Sequence, residues 1–212
     1  MSVSHAVLFD FDGTLADSAP DLAAALNAMR AARHLDALPL DTLRPYASSG
    51  ARGLLRVGFG LTPDVPVYAQ MRQEFLTRYD ERICAETRLF PGIAELLARL
   101  GRPWGIVTNK ALRLTQRLVA ALRLQPHCVV GGDSTPHLKP HPAPLLLASE
   151  KLDIPCKDIS YVGDDLRDVQ AARAAGMRAI AVEWGYHGPG GSPHGWQADV
   201  VLKNPLDLME HL

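Results

Sequence analysis

With 212 residues, 47% of them hydrophobic, the chain has enough apolar material for one large domain or for one domain with an insertion, which excludes a disordered polymer. A formal net charge of -1, with 22 Lys and Arg spread along the sequence, excludes the basic stripe that a nucleic acid or an acidic membrane face would require. Cys84, Cys128 and Cys156, odd in number and lacking a C-x-x-C pair, exclude a disulfide framework or zinc knot; with no signal peptide and no apolar run near the roughly 20 residues of a bilayer span, a cytoplasmic location is expected.

The first apolar run, Ala6-Val7-Leu8-Phe9, reads as a buried parallel strand and ends at the polar cluster Asp10-Phe11-Asp12-Gly13-Thr14. From about residue 17 to residue 86 no strand pattern occurs, and helical patterns replace it. Ser18-Ala19-Pro20-Asp21 has the form of a helix start, with a Ser cap, Pro in the first turn and an acid three residues after the cap. Leu22, Leu26 and Met29 then share one face. Ser48-Ser49-Gly50-Ala51-Arg52-Gly53 reads as a Gly-hinged helix start that would present the Arg52 guanidinium to a substrate carboxylate or hydroxyl. Val67, Met71, Phe75 and Tyr79 recur every fourth residue. Such stripes read as the packing of a small helical lobe inserted into the chain.

Strand and helix then alternate. Ile93, Leu96, Leu97 and Leu100 have helical spacing, and the strand Gly105-Ile106-Val107 leads into Thr108-Asn109, a pair that would also cap a helix. Cys128-Val129-Val130 precedes Lys139-Pro140. Ile159 to Val162 precedes Gly163-Asp164-Asp165, and a helix from Leu166 to Ala175 stops at Gly176. Ala179 to Val182 and Val200 to Leu202 are the last strands, joined across a loop, Gly185 to Gly195, rich in Gly, Pro and His. His137, His141, His187 and His194 lack the spacing of metal ligands and are expected in loops or at the surface. The alternation predicts an α/β fold, a doubly wound, mostly parallel sheet core with an inserted all-helical segment.

Four polar clusters thus follow the carboxyl ends of predicted strands, where ligands bind in an open parallel sheet. D-x-D-G-T specifies four positions, so chance supplies it in roughly one chain of this length in a thousand. Taken with Thr108, Lys139 and Asp164 to Asp168, in that order, the sequence resembles the haloacid dehalogenase superfamily over its whole length. The resemblance implies a catalytic core of residues 1–16 and 87–212, a helical cap of residues 17–86, and hinges near Ala16 and Thr87. Within that superfamily the chain resembles phosphoglycolate phosphatases and, more closely, bacterial N-acetylmuramic acid 6-phosphate phosphatases. The matching residues are Met29 to Arg33, Ser49 to Arg52, Glu74 to Tyr79, Trp104 to Lys110, Tyr161 to Asp168, Trp196 and Ala198-Asp199.

The residue types suit phosphoryl transfer, which needs an in-line nucleophile, neutralisation of three phosphoryl oxygens and a proton for the leaving alkoxide. Asp10 is the expected nucleophile and Asp12, two residues along on the same side, the expected general acid and then base. Two carboxylates facing a phosphate dianion demand a cation, and Mg2+ held by Asp10, Asp164 and, by resemblance, the Asp12 carbonyl would supply it. Thr108, Lys139 and a backbone or amide donor of Asn109 would bind the phosphoryl oxygens. Asp168, one helical turn beyond Asp164, would hold Lys139 or a metal-bound water; Asp165 would share that work or cap a helix.

The expected function is therefore a Mg-dependent phosphomonoester hydrolase acting through an aspartyl-phosphate on a small phosphorylated metabolite, N-acetylmuramic acid 6-phosphate or 2-phosphoglycolate, without nucleic-acid or membrane partners and in an oligomeric state left open. A sugar-phosphate mutase using the same phosphoenzyme is the rival. Halide removal would need neither the acid at Asp12 nor magnesium, and a non-catalytic domain would not need this full set of groups.

Overall fold

Strand β1 (Ala6–Phe9) is buried along its whole length, so both faces of the sheet it centres must be covered. The computed structural model describes residues 4–212. After β1 come the short strand β2 (Ala16–Asp17) and the helices α1 (Ala19–Ala31), α2 (Leu40–Leu43), α3 (Gly50–Phe59) and α4 (Tyr68–Glu81). Strand β3 (Arg88–Leu89) returns antiparallel to β2. The remaining elements are α5 (Ile93–Arg99), β4 (Trp104–Val107), α6 (Leu112–Ala121), β5 (Cys128–Val130), α7 (Ala143–Leu152), β6 (Ile159–Gly163), α8 (Leu166–Ala175), β7 (Arg178–Val182) and β8 (Val200–Leu202).

The main sheet has six strands in the order β5-β4-β1-β6-β7-β8, every pair parallel. Alternation along the strands feeds two cores. Leu8, Val107, Tyr161 and Ala179 face α7 and α8, whereas Val7, Phe9, Ile106 and Val162 face α5 and α6. From β1 the chain builds outward through β4 and β5, then returns through α7 to β6 on the other side. This change of direction opens a crevice beyond the carboxyl ends of β1, β4 and β6. The helices between β2 and β3 form a third core around Leu22, Leu26, Met29, Leu54 and Phe75, which also takes in Leu114 and Tyr186 from the sheet side. No helix among the described residues is long and apolar enough to cross a membrane.

Local expectations fail where tertiary contacts compete for a side chain. Ser18 precedes α1 but makes no side-chain cap; its Oγ donates to Asp12, while the Ser18 and Ala19 amides donate to the Tyr186 hydroxyl at 2.8 and 3.0 Å. Asp21 is likewise no capping partner. Met71, Phe75 and Tyr79 are buried in α4, but Val67, just before the helix, is 45% exposed. Thr108-Asn109 does not open α6, which begins at Leu112, where Asp133 accepts from the Leu112 amide at 2.7 Å. Residues 16 and 17, at the edge of the predicted helical insertion, form a strand.

Candidate active site

Sheet register delivers the first polar group. The Asp10 amide donates to the Val162 carbonyl at 2.9 Å, which carries β1 pairing one residue past the strand and leaves the side chain at the mouth of the crevice. The chain then turns sharply: the Gly13 and Ala16 amides donate to the Ala16 and Phe11 carbonyls. Gly13 has φ +87°, and a Cβ there would run into the Asp164 carboxylate, so only glycine fits. Thr14 Oγ1 donates to Asp164 Oδ1 at 3.0 Å, joining the ends of β1 and β6.

Lys139 lies at the centre. It is buried, with Nζ 2.7 Å from Asp168 Oδ1, 2.7 Å from the Tyr161 hydroxyl and 2.9 Å from Asp10 Oδ1. Burial alone would lower its pKa, but the Asp10 and Asp168 charges outweigh that and raise it, so the ammonium stays charged. The Asp10 contact is an ion pair without hydrogen-bond alignment, and the buried Asp10 Oδ1 accepts no hydrogen bond. Tyr161 donates its proton to the Val107 carbonyl at 2.7 Å and so presents its lone pairs to Lys139. Asn109 closes the arrangement: its amide nitrogen donates to the Lys139 carbonyl at 3.0 Å and its oxygen accepts from the Lys139 amide at 2.9 Å.

That bridge uses one of the two N–H groups of the Asn109 side chain, which leaves the other and the backbone amide as donors for a phosphoryl oxygen. Thr108 is buried at the end of β4, its amide on the Val130 carbonyl at 3.0 Å. Asp168 binds Lys139 through Oδ1 and accepts from the Asp165 amide through Oδ2 at 3.0 Å. Asp165 is the N-cap of α8; it accepts from the Arg167 amide at 2.9 Å and from the Arg167 guanidinium at 2.8 Å.

Asp164 is fully buried and accepts from Thr14, from the Tyr186 amide at 2.8 Å and from Ser48 Oγ at 3.3 Å. Burial, with Asp10 and Asp168 close by, holds its pKa well above the usual carboxylate range despite those donors. Ligand oxygens of Asp10, Asp164 and Asp168 lie within 4.8 Å of one another. A buried oxygen with no hydrogen bond on Asp10, beside a carboxylate that burial disfavours as an anion, fits a hard divalent cation. Asp168 is tied to Lys139, and the Asp12 carboxylate is engaged elsewhere: Ser18 Oγ donates to Oδ1 and Lys110 Nζ lies 3.2 Å from Oδ2. Asp10 Oδ1 also lies 2.9 Å from Lys139 Nζ but accepts no hydrogen bond, so Asp10 and Asp164 beside it are the pair that would share an ion.

A cavity of about 570 Å³ lies over these groups, lined by Asp10, Asp12, Thr108 and Lys139 and, from the helices, by Arg52 and Arg72. Arg52, exposed on α3, lines this cavity together with Asp10 and Asp12. Lys110, Tyr161, Tyr186 and Ser48 went unassigned in the sequence. Lys110 and Tyr161 stand at the ends of runs that carry the family resemblance and Ser48 opens the predicted helix start, whereas Tyr186 sits in a low-complexity loop. The four loop histidines do not gather: His137 stacks on His141, His187 meets the Val182 carbonyl, and His194 meets Glu183.

Comparison with known proteins shows what the chain is similar to. The family model described as haloacid dehalogenase-like hydrolase matches residues 7–182. A phosphoglycolate phosphatase of Xanthomonas campestris is 44% identical over 99% of this chain and 97% of its own length. An N-acetylmuramic acid 6-phosphate phosphatase of Pseudomonas aeruginosa is 42% identical over 98% of this chain and 94% of its own. The crystal structure of a predicted phosphoglycolate phosphatase from Haemophilus somnus superposes with a TM-score of 0.87 at 28% identity, covering 100% of this chain and 99% of that one.

Proposed function

We propose that this chain, which belongs to the haloacid dehalogenase-like hydrolase family and is a phosphomonoester hydrolase, works through a covalent phosphoenzyme on Asp10 with the help of Mg2+. The observation that carries the reading is Lys139, buried and charged between Asp10 and Asp168 at the carboxyl edge of the sheet. Asp10 attacks phosphorus, the bond to the leaving oxygen breaks, and Asp12 delivers a proton to that oxygen. Asp12, now a base, takes a proton from water as it attacks the acyl phosphate; the P–O bond to Asp10 breaks, and the carboxylate and inorganic phosphate are released. Lys139, the Thr108 hydroxyl and the Asn109 backbone amide hold the phosphoryl oxygens as charge develops on them. Asp10 and Asp164, with the Asp12 carbonyl, would hold the ion, whose charge would offset repulsion between carboxylates and phosphate.

Residues 17–86 act in this reading as the cap that covers the crevice and chooses the substrate. Candidates are 2-phosphoglycolate and N-acetylmuramic acid 6-phosphate, each carrying a carboxylate besides its phosphate. The two kinds of relative stand at 44% and 42% identity, so resemblance does not separate them. Arg52 and Arg72 supply positive charge for the second anion.

Phosphate release from both esters, with no sugar acceptor present, tests hydrolysis against transfer to a sugar hydroxyl. Asp10→Asn should lower turnover by roughly 10³-fold or more, and acid quenching of the parent during turnover should leave a phosphoryl group on the Asp10 peptide. Near-parental turnover by that variant refutes the nucleophile.

A further inference from the structure

Lys110 belongs to none of the roles assigned so far, yet it is one of the most confined cations in the chain. Its side chain is 7% exposed, and Nζ lies 3.2 Å from Asp12 Oδ2. The same nitrogen donates to the Tyr79 hydroxyl at 3.1 Å and sits 4.5 Å from the Tyr79 ring centroid, a cation–π contact. Tyr79 is 1% exposed near the end of α4, stacked against Phe75. The Lys110 backbone is also tied down, its amide donating to Thr108 Oγ1 at 3.2 Å and its carbonyl accepting from Gly132 at 2.7 Å. A four-carbon stem gives up rotamer freedom when one geometry is imposed, and contacts at both ends impose it here.

We infer that Lys110 is a positioning residue: it and Ser18 hold the two oxygens of Asp12, and Tyr79 holds Lys110, so that Asp12 is aimed at the leaving oxygen when the helical segment covers the sheet. The inference rests on Asp12 as the proton donor. Ser18 leads into α1 and Tyr79 lies on α4, so one of the two side chains on Asp12, and the hydroxyl that holds the other, come from the helical segment. Lys110 lines the same cavity as Arg52 and Arg72, and both partners of its Nζ are protein groups.

The test is a series of substituted phenyl phosphates, equal in charge and close in size but differing in leaving-group pKa. A misplaced acid leaves more charge on the departing oxygen, so the loss grows as the leaving group worsens. Lys110→Met should lower kcat/KM for phenyl phosphate about 10- to 100-fold and for p-nitrophenyl phosphate by less than about threefold, steepening the dependence on leaving-group pKa. Tyr79→Phe, which keeps the ring and removes the hydroxyl, should steepen it less, and Lys110→Arg should restore part of the parental slope. An equal loss across the series, which a substrate contact or a general structural defect would produce, overturns the inference. So does a parental slope in Tyr79→Phe should Lys110→Met fail to fold. Asp12→Asn is the control: if it does not steepen the slope, the acid assignment itself fails, whereas steepening there without steepening in Lys110→Met removes only Lys110.

Discussion

Asp21 of α1 accepts three hydrogen bonds at the point where the chain returns to the sheet: from the Thr87 amide at 2.9 Å, from Thr87 Oγ1 at 2.7 Å and from the Glu86 amide at 3.0 Å. Asp21 and Thr87 are both fully buried. The outgoing and returning connections of the helical segment are thus clamped together beside the β2–β3 ladder. Asp21→Ala strands the two buried Thr87 donors without access to water, at about 3 kcal/mol, and the melting temperature should fall by roughly 6–12 °C. A fall within about 2 °C in calorimetry would show the clamp to be dispensable.

Asp164 makes stability depend on pH and metal together. Its folded pKa is raised well above the ordinary 3.8 by burial and by Asp10 and Asp168, so the folded chain keeps a proton that the unfolded chain gives up. That contribution is complete below the ordinary carboxylate range and is lost as pH rises through the folded value. In chelator the protein should melt lower near about pH 7.5 than near about pH 5, and Mg2+ should raise the melting temperature more at the higher pH. Asp164→Asn should remove the difference. Equal Mg2+ effects at both pH values would count against a site at Asp10 and Asp164.

Asp80 at the end of α4 pairs with Arg113 at 2.8 Å and with Arg117, both on α6, and so joins the helical segment to the sheet's flank. These arginines are 65% and 46% exposed, so the contribution is small, about 0.2–1 kcal/mol, and screened by salt. Asp80→Ala should raise KM by no more than about fivefold at low ionic strength, with the difference from the parent vanishing at about 1 M NaCl. A salt-independent change would point to packing instead.

Arg52→Ala should cost more on a substrate with a second anionic group than on one without. Losing a charge-assisted hydrogen bond of about 1.5–3 kcal/mol corresponds to roughly 10- to 100-fold in kcat/KM for 2-phosphoglycolate, against little change for p-nitrophenyl phosphate. Equal losses on both esters would exclude a part in substrate choice.

The reach of the sequence can be seen by comparing Lys139 with Lys110. Lys139 was legible because it stands before Pro140 in an ordered set of motifs, each following a strand; Lys110 was not, because its partners lie 98 positions before it, at Asp12, and in a helix ending at Glu81. Asp165 reads correctly as a cap since its partners are two and three residues away. Ser18 reads correctly as the residue that opens α1, but neither its side chain nor that of Asp21 caps the helix, since Asp12 and Thr87 take them.

By itself the sequence determined the α/β alternation, the parallel strands and the order of the motifs along the sheet's rim, because hydrophobic periodicity and short turn chemistry act between neighbours in the chain. The sequence already offered Lys139 as a partner of Asp168, but only the tertiary structure decided which donors the other carboxylates receive: Thr14 and Tyr186 for Asp164, Ser18 and Lys110 for Asp12. The reason is that a buried polar group must find a partner, and the partner it finds depends on which distant segments packing brings within about 3 Å, a relation that no local pattern encodes.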